Sequence, residues 1–145
     1  MIPALVLTAG LATRLRPLSL LRAKAVLPVA GVPLVRRILR ELRAAGVDAA
    51  RISLDPGFGF GKTPDHNLRL LGQMSRLSVD GLPILAGLSR KSTLGAIIGG
   101  KPPQARVAAS IAAAVCAAER GAFIVRVHDV EQTVDALKVW WAIRH

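Results

Sequence analysis

The chain reads as an α/β fold of four strand-then-helix units, and three observations predict it. Apolar runs of strand length recur near Ala4, Ala50, Leu82 and Ala122, and a stretch of helical periodicity follows each. The runs are bounded by glycine, proline or charged turn residues. Strands that alternate with helices imply parallel pairing through right-handed crossovers. Four such units make either half of a (β/α)8 TIM-type barrel or a small open sheet. The 145 residues suffice for one domain with its own core and fall short of the roughly 250 of a complete barrel.

The first strand, Ala4 to Thr8, is a nearly continuous apolar run bounded by Gly10, the pattern of a strand buried on both faces. A long basic loop from Leu11 to Gly31 follows, with Pro17, Pro28 and Gly31 as breakers. Pro33 opens a helix to about Ala45, on which Leu34, Val35, Ile38, Leu39 and Leu42 share a face. Gly46 takes the position just past its end. The second unit is a strand from about Ala50 to Leu54, a glycine-rich loop, and a helix from about His66 to Leu77. Leu70, Leu71, Met74 and Leu77 give that helix a core-facing stripe. The third is Leu82 to Leu88, a loop ending in Gly99-Gly-Lys-Pro-Pro103, and a helix from about Ala105 to Arg120 closed by Gly121. The fourth is Ala122 to Val127, then a helix from Val130 to about Ile143. Asp129 and Gln132 have capping-box spacing, which gives Asp129 a structural role. Trp140 and Trp141 are expected to pack against a neighbouring helix or a partner chain, and His66 and His145 to be structural or surface residues.

Composition narrows the function classes. An apolar content of 52% rules out a disordered chain. The apolar stretch Ile2 to Ala9 is short and has no basic segment before it, so it reads as a strand and not as a signal peptide or a membrane span. One cysteine, Cys116, excludes a disulfide framework and makes a cytoplasmic setting the expectation; among small apolar neighbours it reads as a buried thiol. The net charge is +11, and the first fifty residues carry eight Lys/Arg against two acids. Such a surplus favours anionic partners. Nucleic acid is disfavoured among them, because the basic residues are dispersed, tyrosine is absent and the three Phe form no stacking motif.

The chemistry-bearing residues gather in three segments: Asp55-Pro-Gly-Phe-Gly-Phe-Gly-Lys-Thr63, Leu88-Ser-Arg-Lys-Ser92 and Arg126-Val-His-Asp-Val130. Each ends or follows a predicted strand, so a carboxylate, a lysine, an arginine and a histidine come to the rim where parallel α/β folds bind ligands. In order and spacing, the segments from about Ala44 to the end resemble the C-terminal half of dihydropteroate synthase, the pterin-binding family of folate biosynthesis. The resemblance implies pterin pyrophosphate and para-aminobenzoate as substrates. It implies that Asp55 binds the amino and ring-nitrogen edge of the pterin and that Lys91 contacts its carbonyl side. Arg126 would stack on the ring and, with His128, hold the pyrophosphate; Phe60 and Ser92 would border the aminobenzoate. A carboxylate suits a flat ring with adjacent N–H donors, and a guanidinium suits both stacking and phosphate oxygens. The resemblance also implies Mg2+ as an accompanying ion and no covalent protein nucleophile.

The opening residues resemble another family. Leu7-Thr-Ala-Gly-Leu-Ala-Thr-Arg-Leu-Arg-Pro-Leu18, Lys24 and Leu27-Pro-Val-Ala-Gly-Val-Pro-Leu34 are similar to the start of a sugar-phosphate nucleotidyltransferase. There the loop after the first strand wraps nucleotide phosphates through backbone N–H groups, which implies roles for Gly10, Thr13, Arg14 and Lys24. Ala12 stands where that family has a second glycine, and Ala23 and Ala25 flank the lysine where proline is usual. The expected organisation is one composite, chimera-like α/β domain, nucleotidyltransferase-like over 1–47 and synthase-like over 48–145. The synthase family's first five strands and the nucleotidyltransferase's metal carboxylates have no counterpart in it, so either site is expected to be partial. Four units per chain invite a homodimer that completes eight strands.

Overall fold

The computed structural model describes residues 4–7 and 28–145. In chain order its elements are β1 (Ala4–Leu7), β2 (Pro28–Val29), β3 (Val32–Pro33), α1 (Leu34–Ala44), β4 (Ile52–Asp55), α2 (Pro64–Gly72), β5 (Ile84–Ala86), α3 (Ser92–Ile97), α4 (Val107–Glu119), β6 (Ala122–Val125) and α5 (Val130–Arg144). Four strands form one parallel sheet in the order β1-β4-β5-β6, with Leu7 opposite Asp55, Leu54 opposite Ile84 and Ala86 opposite Val125. Spatial order follows chain order. A doubly wound sheet reverses direction at a switch point; this one runs on as a barrel wall does, with β1 and β6 at its two edges.

Strand alternation turns Ile52 and Leu54, then Ile84 and Ala86, toward the helices. One cluster packs Ile52 and Leu54 with Leu82 against Val35 and Leu39 of α1. The other packs Ile84, Ala86 and Leu88 against Phe58, Met74, Leu94 and Ala113 and Ala117 of α4. The alanines let α4 approach the sheet closely, and each large apolar side chain buried here contributes about 1.5–3 kcal/mol. Helix α1 ends as expected: Gly46 is left-handed (φ +80°), its N–H meets Arg43 O at 3.0 Å, and Val47 N–H meets Leu42 O at 3.0 Å.

Local physics moved several boundaries. The loop expected after Leu88 contains α3, hidden in the sequence by Gly95. That glycine is a packing device, since a Cβ on it would stand 2.5 Å from Arg106 Cζ. Pro28 and Gly31 do not simply break a loop: β2 and β3 pair antiparallel around Ala30 and Gly31, both left-handed, with Arg37 Nε donating to Val29 O at 2.9 Å. The second helix starts earlier, at Pro64, where Thr63 Oγ1 accepts from His66 N–H at 3.2 Å. It stops at Gly72, and a 3-10 turn (Met74–Leu77) carries Met74 into the core. Residues Ala49–Arg51 are likewise a 3-10 turn, with Asp48 Oδ1 accepting from Ala50 N–H, so β4 begins two residues later than expected. Trp140 is half-buried with the Arg144 guanidinium 5.4 Å from its ring, whereas Trp141 is exposed and stacks on His145. Cys116 is half-buried, and no described helix is long and apolar enough to cross a membrane.

Candidate functional site

The three segments converge at the carboxyl ends of β4, β5 and β6. Asp55 closes β4 and is fully buried. Its Oδ1 accepts from Gly57 N–H at 2.7 Å, and its Oδ2 accepts from Arg126 Nη2 at 3.2 Å. Arg126 follows β6, and its backbone N–H extends the ladder to Ala86 O at 2.9 Å. Its side chain, 49% exposed, then crosses the end of β5 to reach β4. Gly87 makes that crossing possible: a Cβ there would stand 2.8 Å from Arg126 Nη2.

His128 is set by Ser89. Ser89 Oγ accepts from the His128 backbone N–H at 3.2 Å and lies 2.9 Å from Nδ1. These two contacts fix the ring through Nδ1 and leave Nε2 as its unbonded nitrogen. Gly87, Ser89, Lys91, Arg126, Val127 and His128 line a cavity of about 190 Å³. Two cations, Lys91 and Arg126, beside the His128 ring on one small cavity make it suited to an anion. A larger hollow of about 540 Å³ opens at the opposite strand ends, among Ala50, Pro83, Gly121 and Phe123. Its lining also includes Ser75 and Ser78, and its one charged side chain, Arg120, donates to Cys116 O.

The glycine-rich loop forms the second wall. Gly57, Gly59 and Gly61 are all left-handed, the conformation glycine tolerates best. Phe58 anchors the loop in the core, and Phe60, two residues on, is half exposed with Lys91 Nζ 3.9 Å from its ring centroid. Lys62 Nζ donates to Pro56 O at 3.1 Å and Gly57 O at 2.8 Å. Burial pushes the Lys62 ammonium below the usual lysine range, against the opposing pull of the Asp55 charge. Ser92, expected beside Phe60, is the exposed first residue of α3, next to Lys91.

Asp129 does not cap α5 with its side chain. The carboxylate instead takes both arms of the Arg90 guanidinium, with Nε to Oδ2 at 3.2 Å, and these hydrogen bonds hold it below the ordinary carboxylate range. Arg90 has a left-handed backbone (φ +58°), held by Ser110 Oγ on its N–H and by Arg106 Nη1 on its carbonyl, each at 2.9 Å. The helix start is secured by Thr133 Oγ1, which donates to Asp129 O at 2.7 Å.

Asp55, Phe60, Lys91, Arg126 and His128 are therefore brought together, with Ser92 at their margin. Gly10, Thr13, Arg14 and Lys24 lie outside the described residues. Among the described residues no three His, Cys, Asp or Glu converge. Sequence reading missed Lys62, Asn67, Gly87 and Ser89. Asn67 had a signal: a polar residue on the stripe of Leu70, Leu71 and Met74.

Comparison with known proteins gives this constellation a family. The family described as "Pterin binding enzyme" matches residues 31–128, a span that also takes in α1. The dihydropteroate synthase of Neisseria meningitidis serogroup C is 51% identical over 104 residues, which cover 71% of this chain and 37% of that protein. The Escherichia coli K12 enzyme is 46% identical over 95 residues, 66% of this chain and 33% of its own length. The chain thus spans little more than a third of these relatives. Among solved structures, Burkholderia cenocepacia dihydropteroate synthase complexed with 7,8-dihydropteroate superposes with a TM-score of 0.70 at 62% identity, covering 77% of this chain and 41% of that one. Xanthomonas albilineans dihydropteroate synthase in complex with 7,8-dihydropteroate gives 0.76 at 42% identity over 98% of this chain and 50% of its own. With a family match over more than half its residues, and with the segments that carry the likeness meeting at one rim, the chain belongs to the pterin binding enzyme family.

Proposed function

We propose that the chain binds pterin pyrophosphate at the ends of β4, β5 and β6, as part of the dihydropteroate synthase reaction. The observation that carries this reading is the buried Asp55 carboxylate joined through one 3.2 Å contact to an arginine that is half in solvent. A pterin's amino group and adjacent ring N–H present two donors in a plane, a better match to Oδ2 than one guanidinium nitrogen. Its arrival releases Arg126, which lies beside the cavity and is free to stack on the ring or meet phosphate oxygens. In the reaction, the arylamine nitrogen's lone pair forms a bond to the pterin methylene carbon, the carbon–oxygen bond to pyrophosphate breaks, and the amine proton passes to solvent. Arg126, Lys91 and the His128 ring meet the charge that builds on the leaving pyrophosphate. Phe60, under the Lys91 ammonium, and Ser92 border the arylamine. The related structures support the substrate classes: the Burkholderia cenocepacia enzyme holds 7,8-dihydropteroate, and the Xanthomonas albilineans enzyme was solved with 4-aminobenzoic acid.

Calorimetric titration of the 145-residue chain with hydroxymethyl-dihydropterin pyrophosphate tests this reading. Saturable binding is expected, weakened by about tenfold or more in Asp55→Asn, because one charge-assisted hydrogen-bond acceptor is lost. Absence of binding in the unaltered chain overturns the proposal.

Two further parts of this reading concern the rest of the chain. The basic loop with Gly10, Thr13, Arg14 and Lys24 is read from its motif as a nucleotide-phosphate loop of a composite domain; loss of nucleotide binding in Arg14→Ala is its test. The open edge of β6, where Phe123 is 82% exposed, favours a homodimer that completes eight strands, with β6 of one copy beside β1 of the other. A monomeric mass by light scattering across a wide concentration range sinks that assembly.

A further inference from the structure

The loop of Phe60 and the turn of Lys91 meet at the site, where the Lys91 ammonium lies over the Phe60 ring, and a buried amide also joins them. Asn67, on α2, is 1% exposed. Its Oδ1 accepts from Gly59 N–H at 2.8 Å. Its Nδ2 donates to Thr63 O at 2.9 Å, and to Thr93 Oγ1, two residues past Lys91, at 3.0 Å. Directly beside this link, Gly59 presses on the Lys91 stem so closely that a Cβ would stand 2.8 Å from Lys91 Cδ.

We infer that Asn67, through Thr93, is a positioning residue that couples the pterin-side lysine to the arylamine-side loop. The inference rests on the proposed pterin reading for its ligands, but not for the brace itself. Asp55, Lys62 and Asn67 all hold the glycine-rich loop. The Asp55 and Lys62 bonds close within the loop's own segment, whereas the amide of Asn67 reaches across to the other wall. Three left-handed glycines make the loop costly to order, so its shape depends on these side-chain bonds. Fixing Lys91 against a pterin therefore also fixes Phe60 and leaves less ordering to be done when the second substrate arrives.

Asn67→Ala strips partners from several buried groups and risks the fold, so Thr93→Val is the informative variant. It removes the cross-link and leaves Thr63 O and Lys62 O as acceptors for Nδ2. The first measurement is amide hydrogen exchange by NMR on the full chain. Faster exchange at Gly59 and Phe60 in Thr93→Val is expected, far in sequence from the change. Exchange altered only around residues 92–94 overturns the coupling. The second compares 7,8-dihydropteroate, which reaches both walls, with 6-hydroxymethyl-7,8-dihydropterin, which reaches one. Thr93→Val should weaken the first about tenfold and the second by less than about twofold. Equal weakening of both, or of neither, also overturns it. If the unaltered chain binds neither ligand, the pterin reading fails while hydrogen exchange still decides the brace.

Discussion

Two arginine–aspartate pairs span the carboxyl ends of the strands, Arg90–Asp129 between the β5 and β6 loops and Arg126–Asp55 between β6 and β4, and they differ in how they are held. Arg90 grips Asp129 with two nitrogens, and both side chains are largely covered, at 28% and 12% exposure. The backbone of Arg90 is itself pinned at both ends by Ser110 and Arg106. Arg126 meets Asp55 with one nitrogen, its side chain lies half in solvent, and Gly87 lies close against its guanidinium. The first pair fixes how the β5 and β6 loops sit on one another. In the proposed function, the second is the pair whose arginine a ligand displaces. The contrast to test is between a pair held by two bonds and one held by a single contact to a half-exposed arginine.

The sharpest way to break the contrast is to delete each arginine. Arg126→Ala should weaken hydroxymethyl-dihydropterin pyrophosphate about tenfold to a hundredfold in calorimetry, the loss of a charge-assisted contact to ring or phosphate, and should also lower the melting temperature, because the buried Asp55 carboxylate loses its arginine. Arg90→Ala leaves the Asp129 carboxylate without its bidentate partner, so thermal denaturation should show a fall in melting temperature with ligand affinity changed by less than about threefold. Equal losses of ligand affinity for the two variants would erase the distinction. A subtler change is Gly87→Ala. The atoms nearest the added methyl all belong to the movable end of Arg126, so stability should stay within about 1 kcal/mol of the unaltered chain. Ligand affinity should fall several-fold, because the guanidinium can no longer lie across β5. A ligand affinity unchanged by this methyl would show that the crossing has no part in binding.

The sheet, its parallel order and the convergence of Asp55, Lys91, Arg126 and His128 were legible in sequence, because strand runs and strand-end motifs are local signals. What stayed hidden was set by partners distant in the chain. Gly95 read as a helix breaker because nothing nearby announces that Arg106 will lie on it. Asp129 read as a cap because its spacing to Gln132 is local, whereas Arg90 lies 39 residues away. Its two bonds to Arg90 outweigh one cap bond, and Thr133 takes over the helix start. Ser89 and Asn67 were passed over for the same reason: a small polar residue shows its worth only once its acceptors are known.

The smallest effect separates the pairs by pH. Arg90 holds the Asp129 carboxyl below the ordinary value of 3.8, chiefly through its hydrogen bonds. In the interval between the folded pKa and 3.8, the unfolded chain binds more protons at this position than the folded one, so stability rises with pH there. The contribution is complete above the unfolded value and is lost as acidification carries the group through its folded pKa. Asp129→Asn cannot titrate and retains only neutral hydrogen bonds to the guanidinium. The stability difference between the two proteins, from denaturant unfolding at successive pH values, should therefore be constant near neutrality and shrink below about pH 4. A gap that stays the same down to acid unfolding would mean that the Asp129 charge contributes nothing, and that shape alone makes the Arg90 pair a scaffold.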